Sequence, residues 1–251
     1  MGIYLNPGNR SFQISLNSKI YIDKSSLISY TNSVIDTSQR YVCVSRPRRF
    51  GKSVTAEMLA AYYGRNIDSD MQFRNLSIAK DKSYWEHLNH YNVIFLNMQQ
   101  FLGRAHDVTQ MMSLIENHLI KDILLTYPDH SYFDDSYLTG CLMDVFAKTD
   151  IPFVFIIDEW DCIFREYRND TKTQKLYLDF LRNLLKDQPY VALAYMTGIL
   201  PIKKYGTHSA LNMFDEFSMM NPGPLASFVG FTDPEVTNLC TVWQMNYDEV
   251  K

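Results

Sequence analysis

Four short apolar runs stand out along the chain, at residues 41–45, 93–97, 153–157 and 191–196. Each has strand length and is rich in β-branched or aromatic residues, so each reads as a strand buried on both faces. Between them, residues 53–63, 108–125 and 174–186 carry apolar positions at helical spacing. In the second of these, Met111, Ile115, Leu119 and Ile123 mark one face, and Leu114, His118 and Lys121 the other. Strands alternating with helices of this length predict crossover units, hence an α/β fold with a mostly parallel sheet flanked by helices. A further helix is announced by Thr232, Pro234 and Glu235, which supply a capping residue, a first-turn proline and a capping-box acid. Residues 203–224, with several Gly, Asn and Pro, are expected to be irregular and exposed. The expected organisation is an N-terminal extension at 1–40, a core at 41–202, and an irregular or helical part at 203–251.

Composition narrows this picture little. The 251 residues are 46% hydrophobic, enough to bury a large core, and the net charge of −4 excludes a wholly basic nucleic-acid binder. Cys43, Cys141, Cys162 and Cys240 form no C-x-x-C pair and are expected to be reduced thiols. The first residues lack the basic start and apolar run of a signal peptide, and no run is long enough to cross a bilayer. A cytoplasmic protein with no membrane partner is expected. His87 and His90 have helical spacing but no third ligand nearby, so they are not read as a metal site.

The chemistry starts where the first strand ends. Arg46, Pro47, Arg48, Arg49, Phe50, Gly51, Lys52, Ser53 and Val54 lie between that strand and the next helix. In a phosphate-binding loop, backbone N–H groups and the helix N-terminus cradle the phosphates of a nucleotide. Lys52 is expected to be solvent-facing and to reach the β- and γ-phosphates; the Ser53 hydroxyl would hold Mg²⁺. Gly51 removes a Cβ from the approach of the phosphates. Arg46 stands where the general G-x-x-x-x-G-K-[ST] pattern has its first glycine, and is expected to pair with a carboxylate of the domain. Arg48 or Arg49 would hold the γ-phosphate or reach a partner. The strand–loop–helix context predicts a P-loop NTPase that binds ATP and Mg²⁺.

Two further strand ends fit this scheme. Residues 153–157 run into Asp158, Glu159, Trp160 and Asp161. Asp158 is expected to hold Mg²⁺, directly or through water, and Glu159 to project toward the γ-phosphate and orient or deprotonate the attacking water. Asp161 is expected to be structural, paired with Arg165 four positions on. Thr197, ending the fourth strand, is the candidate polar group between the acids and the γ-phosphate. Lys203 and Lys204 are candidates for contact with phosphate or a neighbouring subunit.

The strings Tyr21-Ile22-Asp23-Lys24-Ser25, Arg46-Pro47-Arg48-Arg49-Phe50-Gly51-Lys52-Ser53, Ile157-Asp158-Glu159-Trp160-Asp161 and Met196-Thr197-Gly198-Ile199-Leu200 resemble the bacterial AAA-ATPase-like family over nearly the whole chain. Phe231-Thr232-Asp233-Pro234-Glu235-Val236 fits the same pattern. The resemblance implies a P-loop core related to archaeal-type and signal-transducing ATPases, with arginine normal at Arg46. It also implies a frequent C-terminal restriction-type nuclease domain, absent up to Lys251, so a fragment or short form is expected. Pro201 departs from the arginine that many members carry. Catalytic roles for Glu159, Lys52 and Thr197 thus belong to ATP hydrolysis that drives or gates an attached or partner effector, with an oligomer left open. Two alternatives stand beside it: a non-hydrolysing nucleotide switch, and a nucleic-acid-binding module using Arg46, Arg48 and Arg49.

Overall fold

A computed structural model describes residues 2–202 and 210–250. Lys203 and Lys204 lie outside the described residues. In chain order the helices are α1 (Arg10–Leu16), α2 (Ser26–Val34), α3 (Lys52–Tyr63), α4 (Asp70–Phe73), α5 (Tyr84–His87), α6 (Met98–Leu102), α7 (Val108–Thr126), α8 (Leu138–Thr149), α9 (Cys162–Glu166) and α10 (Thr171–Leu185). The strands are β1 (Tyr41–Ser45), β2 (Asn92–Asn97), β3 (Phe153–Asp158), β4 (Val191–Gly198) and β5 (Asp215–Phe217).

All five strands are parallel, in the order β2-β3-β4-β1-β5. Alternate residues of the central strands feed two cores. Cys43, Phe155, Ile157 and Met196 pack on the side of α7, α8 and α10. Val42, Val44, Val154, Ile156 and Tyr195 pack on the side of α2 and α3. With both faces covered, the strand interiors have no polar face, which is why each run is continuously apolar. On α7 the buried stripe is Met111, Ile115, Leu119 and Ile123, as the periodicity predicts. The four cysteines are free and buried.

The fifth strand corrects the expectation for 203–224. β5 pairs with β1 through Val42–Asp215, Cys43–Glu216 and Val44–Phe217. Its three residues include two acids and offer no apolar alternation, so only its partner strand makes it a strand. The N-terminal stretch is also tied to the sheet: Leu5 bridges Ile94, and Asp122 accepts hydrogen bonds from the amides of Tyr4 and Leu5. The helix Asp233–Trp243 begins with the expected capping box of Thr232 and Glu235. Among the described residues, no helix is long and apolar enough to cross a membrane.

The strand order sets the site. β4 lies between β1 and β3, so the C-terminal ends of all three meet at one edge. Crossovers leave a crevice there, outside the carboxyl ends of the strands.

Candidate functional site

β1 delivers the loop that joins it to α3. Left-handed backbone falls at Arg49 (φ 68°) and at Gly51 (φ 76°), the residue before the helix. Arg46 is not among the left-handed residues, so an L-residue there meets no steric penalty. Among the described residues its guanidinium forms no ion pair with a carboxylate, contrary to expectation. Arg46 is 2% exposed, and Nη1 donates to the carbonyls of Ser45 (3.0 Å) and Phe217 (2.7 Å). The loop leaves the sheet beside β5, and there two main-chain carbonyls, of Ser45 and Phe217, take the guanidinium's hydrogen bonds.

Lys52 is the second correction. It is 5% exposed, not solvent-facing, and its ammonium donates to the carbonyls of Arg46 (3.1 Å) and Pro47 (3.0 Å). As first residue of α3 it lies under the loop and caps the carbonyls that the turn leaves bare. Burial pushes its pKa below the ordinary 10.5, against the pull of Glu159, Asp158 and Asp161. Pro47, Arg48, Arg49, Gly51, Ser53 and Val54 are exposed. Phe50 is half-buried against Gly230, where an added Cβ would come within 2.7 Å of its ring.

β3 brings Asp158 beneath this loop. The carboxylate is 1% exposed and accepts from four donors. Ser53 Oγ (2.7 Å) and Asn97 Nδ2 (3.4 Å) reach Oδ2, while Thr197 Oγ1 and the Glu159 amide (3.0 Å) reach Oδ1. Thr197 is therefore fully buried against Asp158 and is not part of the cleft wall. Asn97, in register with Asp158 across the β2–β3 pair, joins the site without belonging to any of the motifs. Its signal was available: a polar residue ending a buried strand, the same mark that singled out Thr197.

Glu159 turns the chain sharply, at φ 56°. The turn is held by the Trp160 amide on the Thr197 carbonyl (3.1 Å) and by Tyr177 Oη on the Trp160 carbonyl (2.8 Å). Glu159 Oε2 lies 2.5 Å from Arg165 Nη2. Asp161 is fully buried; its Oδ2 accepts the amides of Ile199 (3.1 Å) and Leu200 (2.9 Å), and Arg165 Nε lies 3.5 Å away. The structural part expected of Asp161 is therefore present.

Above the buried Asp158 lies a cleft of 670 Å³, lined by residues that include Arg48, Arg49, Gly51, Lys52, Ser53, Asn97, Gln99, Gln100, Glu159 and Arg165. Across the loop a second cavity of 400 Å³ is lined mainly by apolar groups, among them Ile20, Tyr21, Ile22, Val54, Met58, Phe228 and Phe231. Arg49, Phe50, Gly51 and Val54 border both. Among the described residues no cluster of three or more His, Cys, Asp or Glu could enclose a metal. One carboxylate and one hydroxyl, Asp158 and Ser53, are instead the sparse oxygen set that suits Mg²⁺, which keeps water and substrate phosphate as its other ligands.

The family model for predicted AAA-ATPases matches residues 8–207. No curated protein matches the chain.

Proposed function

The chain belongs to the family of predicted AAA-ATPases, and from that premise we propose that it binds ATP with Mg²⁺ and hydrolyses it at the cleft beside Lys52 and Glu159. The observation that carries the reading is the meeting of Lys52 and Ser53, from the start of α3, with Asp158 and Glu159, from the end of β3, at one crevice. The triphosphate takes the polar cleft, against the loop amides and the N-terminus of α3. The apolar cavity across the loop takes the base, stacked among Tyr21, Val54 and Met58.

On binding, the Lys52 ammonium exchanges the Arg46 and Pro47 carbonyls for the β- and γ-phosphates. Asp158 and Ser53 would hold Mg²⁺, which would neutralise phosphate charge. Asn97 and Thr197 orient the Asp158 carboxylate. Glu159 takes a proton from the attacking water. Arg48 and Arg49, exposed at the mouth, are the cations available to the γ-phosphate or to an effector, whether protein or nucleic acid. The buried Arg46 supports the loop and speaks against a nucleic-acid surface built from all three arginines.

Titration of wild type and Lys52→Ala with ATP in Mg²⁺ tests the reading. Losing a charge-assisted contact of about 2 kcal/mol weakens ATP about 30-fold. Equal affinity in the two proteins, both folded, would remove it.

A further inference from the structure

Arg165 has no part in the scheme above, yet it touches the residue on which hydrolysis depends. It sits on α9, with its side chain 15% exposed at the cleft wall. Nη2 meets Glu159 Oε2 at 2.5 Å and Gln99 Oε1 at 3.2 Å. Nε faces Asp161 Oδ2 at 3.5 Å, and that same oxygen is pinned by the amides of Ile199 and Leu200. A chain of contacts thus runs from the backbone beyond β4, through a buried carboxylate and a guanidinium, to one oxygen of Glu159.

We propose that Arg165, anchored by Asp161, is the positioning residue for Glu159. This rests on the reading of Glu159 as the group that takes the water proton. Glu159 lies in the left-handed region, a conformation that a non-glycine residue keeps only where its surroundings over-determine it. The side chain needs the same support, since a free glutamate samples many rotamers and a misplaced base loses rate. The guanidinium occupies Oε2 and leaves Oε1 for water. As the water oxygen bonds to the γ-phosphorus, its proton passes to Oε1. The bond from phosphorus to the bridging oxygen breaks, ADP keeps the electron pair, and the proton is later released to solvent. Arg165 gives up no proton and faces two carboxylates, Glu159 and Asp161, so its charge is matched within the protein rather than offered to phosphate.

Steady-state and single-turnover hydrolysis, together with Mg-ATP affinity, test this in Arg165→Ala, Arg165→Lys, Glu159→Gln and the double variant Glu159→Gln/Arg165→Ala. Removing an orienting partner is expected to lower kcat about 10- to 100-fold, with Mg-ATP affinity and melting temperature near wild type. Lysine restores part of the rate. In the Glu159→Gln background the alanine costs no further rate, because Arg165 acts only through Glu159. An unchanged kcat overturns the proposal. So does a raised kcat, which would make the pair an inhibitory clamp. Losses that add in full, or that fall on affinity, would place Arg165 on the phosphate itself. Should Arg165→Ala fail to fold with Asp161 left buried and unpaired, Arg165→Ala/Asp161→Asn removes both charges and carries the same comparison. Wild type that binds ATP without turnover would fell the base reading of Glu159 and this proposal together. Turnover lost in Glu159→Gln but kept in Arg165→Ala fells only the positioning role.

Discussion

Ser53 Oγ donates a 2.7 Å hydrogen bond to Asp158 Oδ2, joining positions 105 apart in sequence. The bond ties the first turn of α3 to the end of β3, across the crevice that β4 spaces. A hydroxyl and a carboxylate held in contact are a preorganised pair of hard oxygens.

Ser53→Ala and Asp158→Asn are therefore expected to remove most of the gain that Mg²⁺ brings to ATP affinity, about tenfold or more each. Affinity in chelator should change little for Ser53→Ala. The double variant should cost less than the sum of the singles, since both act on one ion. Titrations with and without Mg²⁺ decide it; equal losses in both conditions would separate the pair from metal binding.

The arginines of the loop should divide by burial. Arg46→Ala strips donors from the Ser45 and Phe217 carbonyls and is expected to cost about 2–4 kcal/mol of stability. Its ratio of ATP to ADP affinity should stay as in wild type. Arg48→Ala and Arg49→Ala, at exposed positions, should leave the melt unchanged. At least one of them should cost ATP about 1–3 kcal/mol more than ADP. Denaturation curves and paired titrations check both halves. Equal ATP and ADP losses at Arg48 and Arg49 would assign them to a partner.

The same residues show what the sequence conveys and what it withholds. β1 to β4 are legible because a strand covered on both faces must be apolar throughout, and that pattern survives without tertiary knowledge. β5 is not, since Asp215, Glu216 and Phe217 form a strand only because β1 presents a free edge to them. Residue roles follow the same division. The i,i+4 pairing of Asp161 with Arg165 is local and readable, whereas the Glu159–Arg165 contact depends on the left-handed turn at Glu159. Sequence alone places Lys52 in solvent and Arg46 on an acid, because charged side chains are usually exposed or ion-paired. Here the bare carbonyls of a tight loop satisfy them, and no linear pattern encodes those carbonyls.

Acid should loosen the start of the C-terminal helix. Lys24 Nζ meets both Glu235 oxygens at 2.6 Å, and Glu235 also accepts the Thr232 amide in the capping box. Burial alone would raise the Glu235 pKa. The bonds from Lys24 and Thr232 outweigh it and hold the group below its ordinary 4.5. A depressed folded value means stability that is complete above the unfolded value and lost as pH falls through the folded one. Glu235→Gln should therefore be less stable than wild type at neutral pH and converge with it under acid. Denaturant midpoints from pH 7 downward provide the check, and a gap that stays constant would contradict it.

The central claim is that Glu159 handles the proton of the attacking water while Lys52, Ser53 and Asp158 hold the nucleotide. Its most direct test is phosphate release from ATP by wild type and Glu159→Gln, with Mg-ATP affinity measured on the same samples. The account predicts that Glu159→Gln binds Mg-ATP as wild type does and loses turnover by about 100-fold or more. Turnover retained in Glu159→Gln, or affinity lost along with it, would contradict the account.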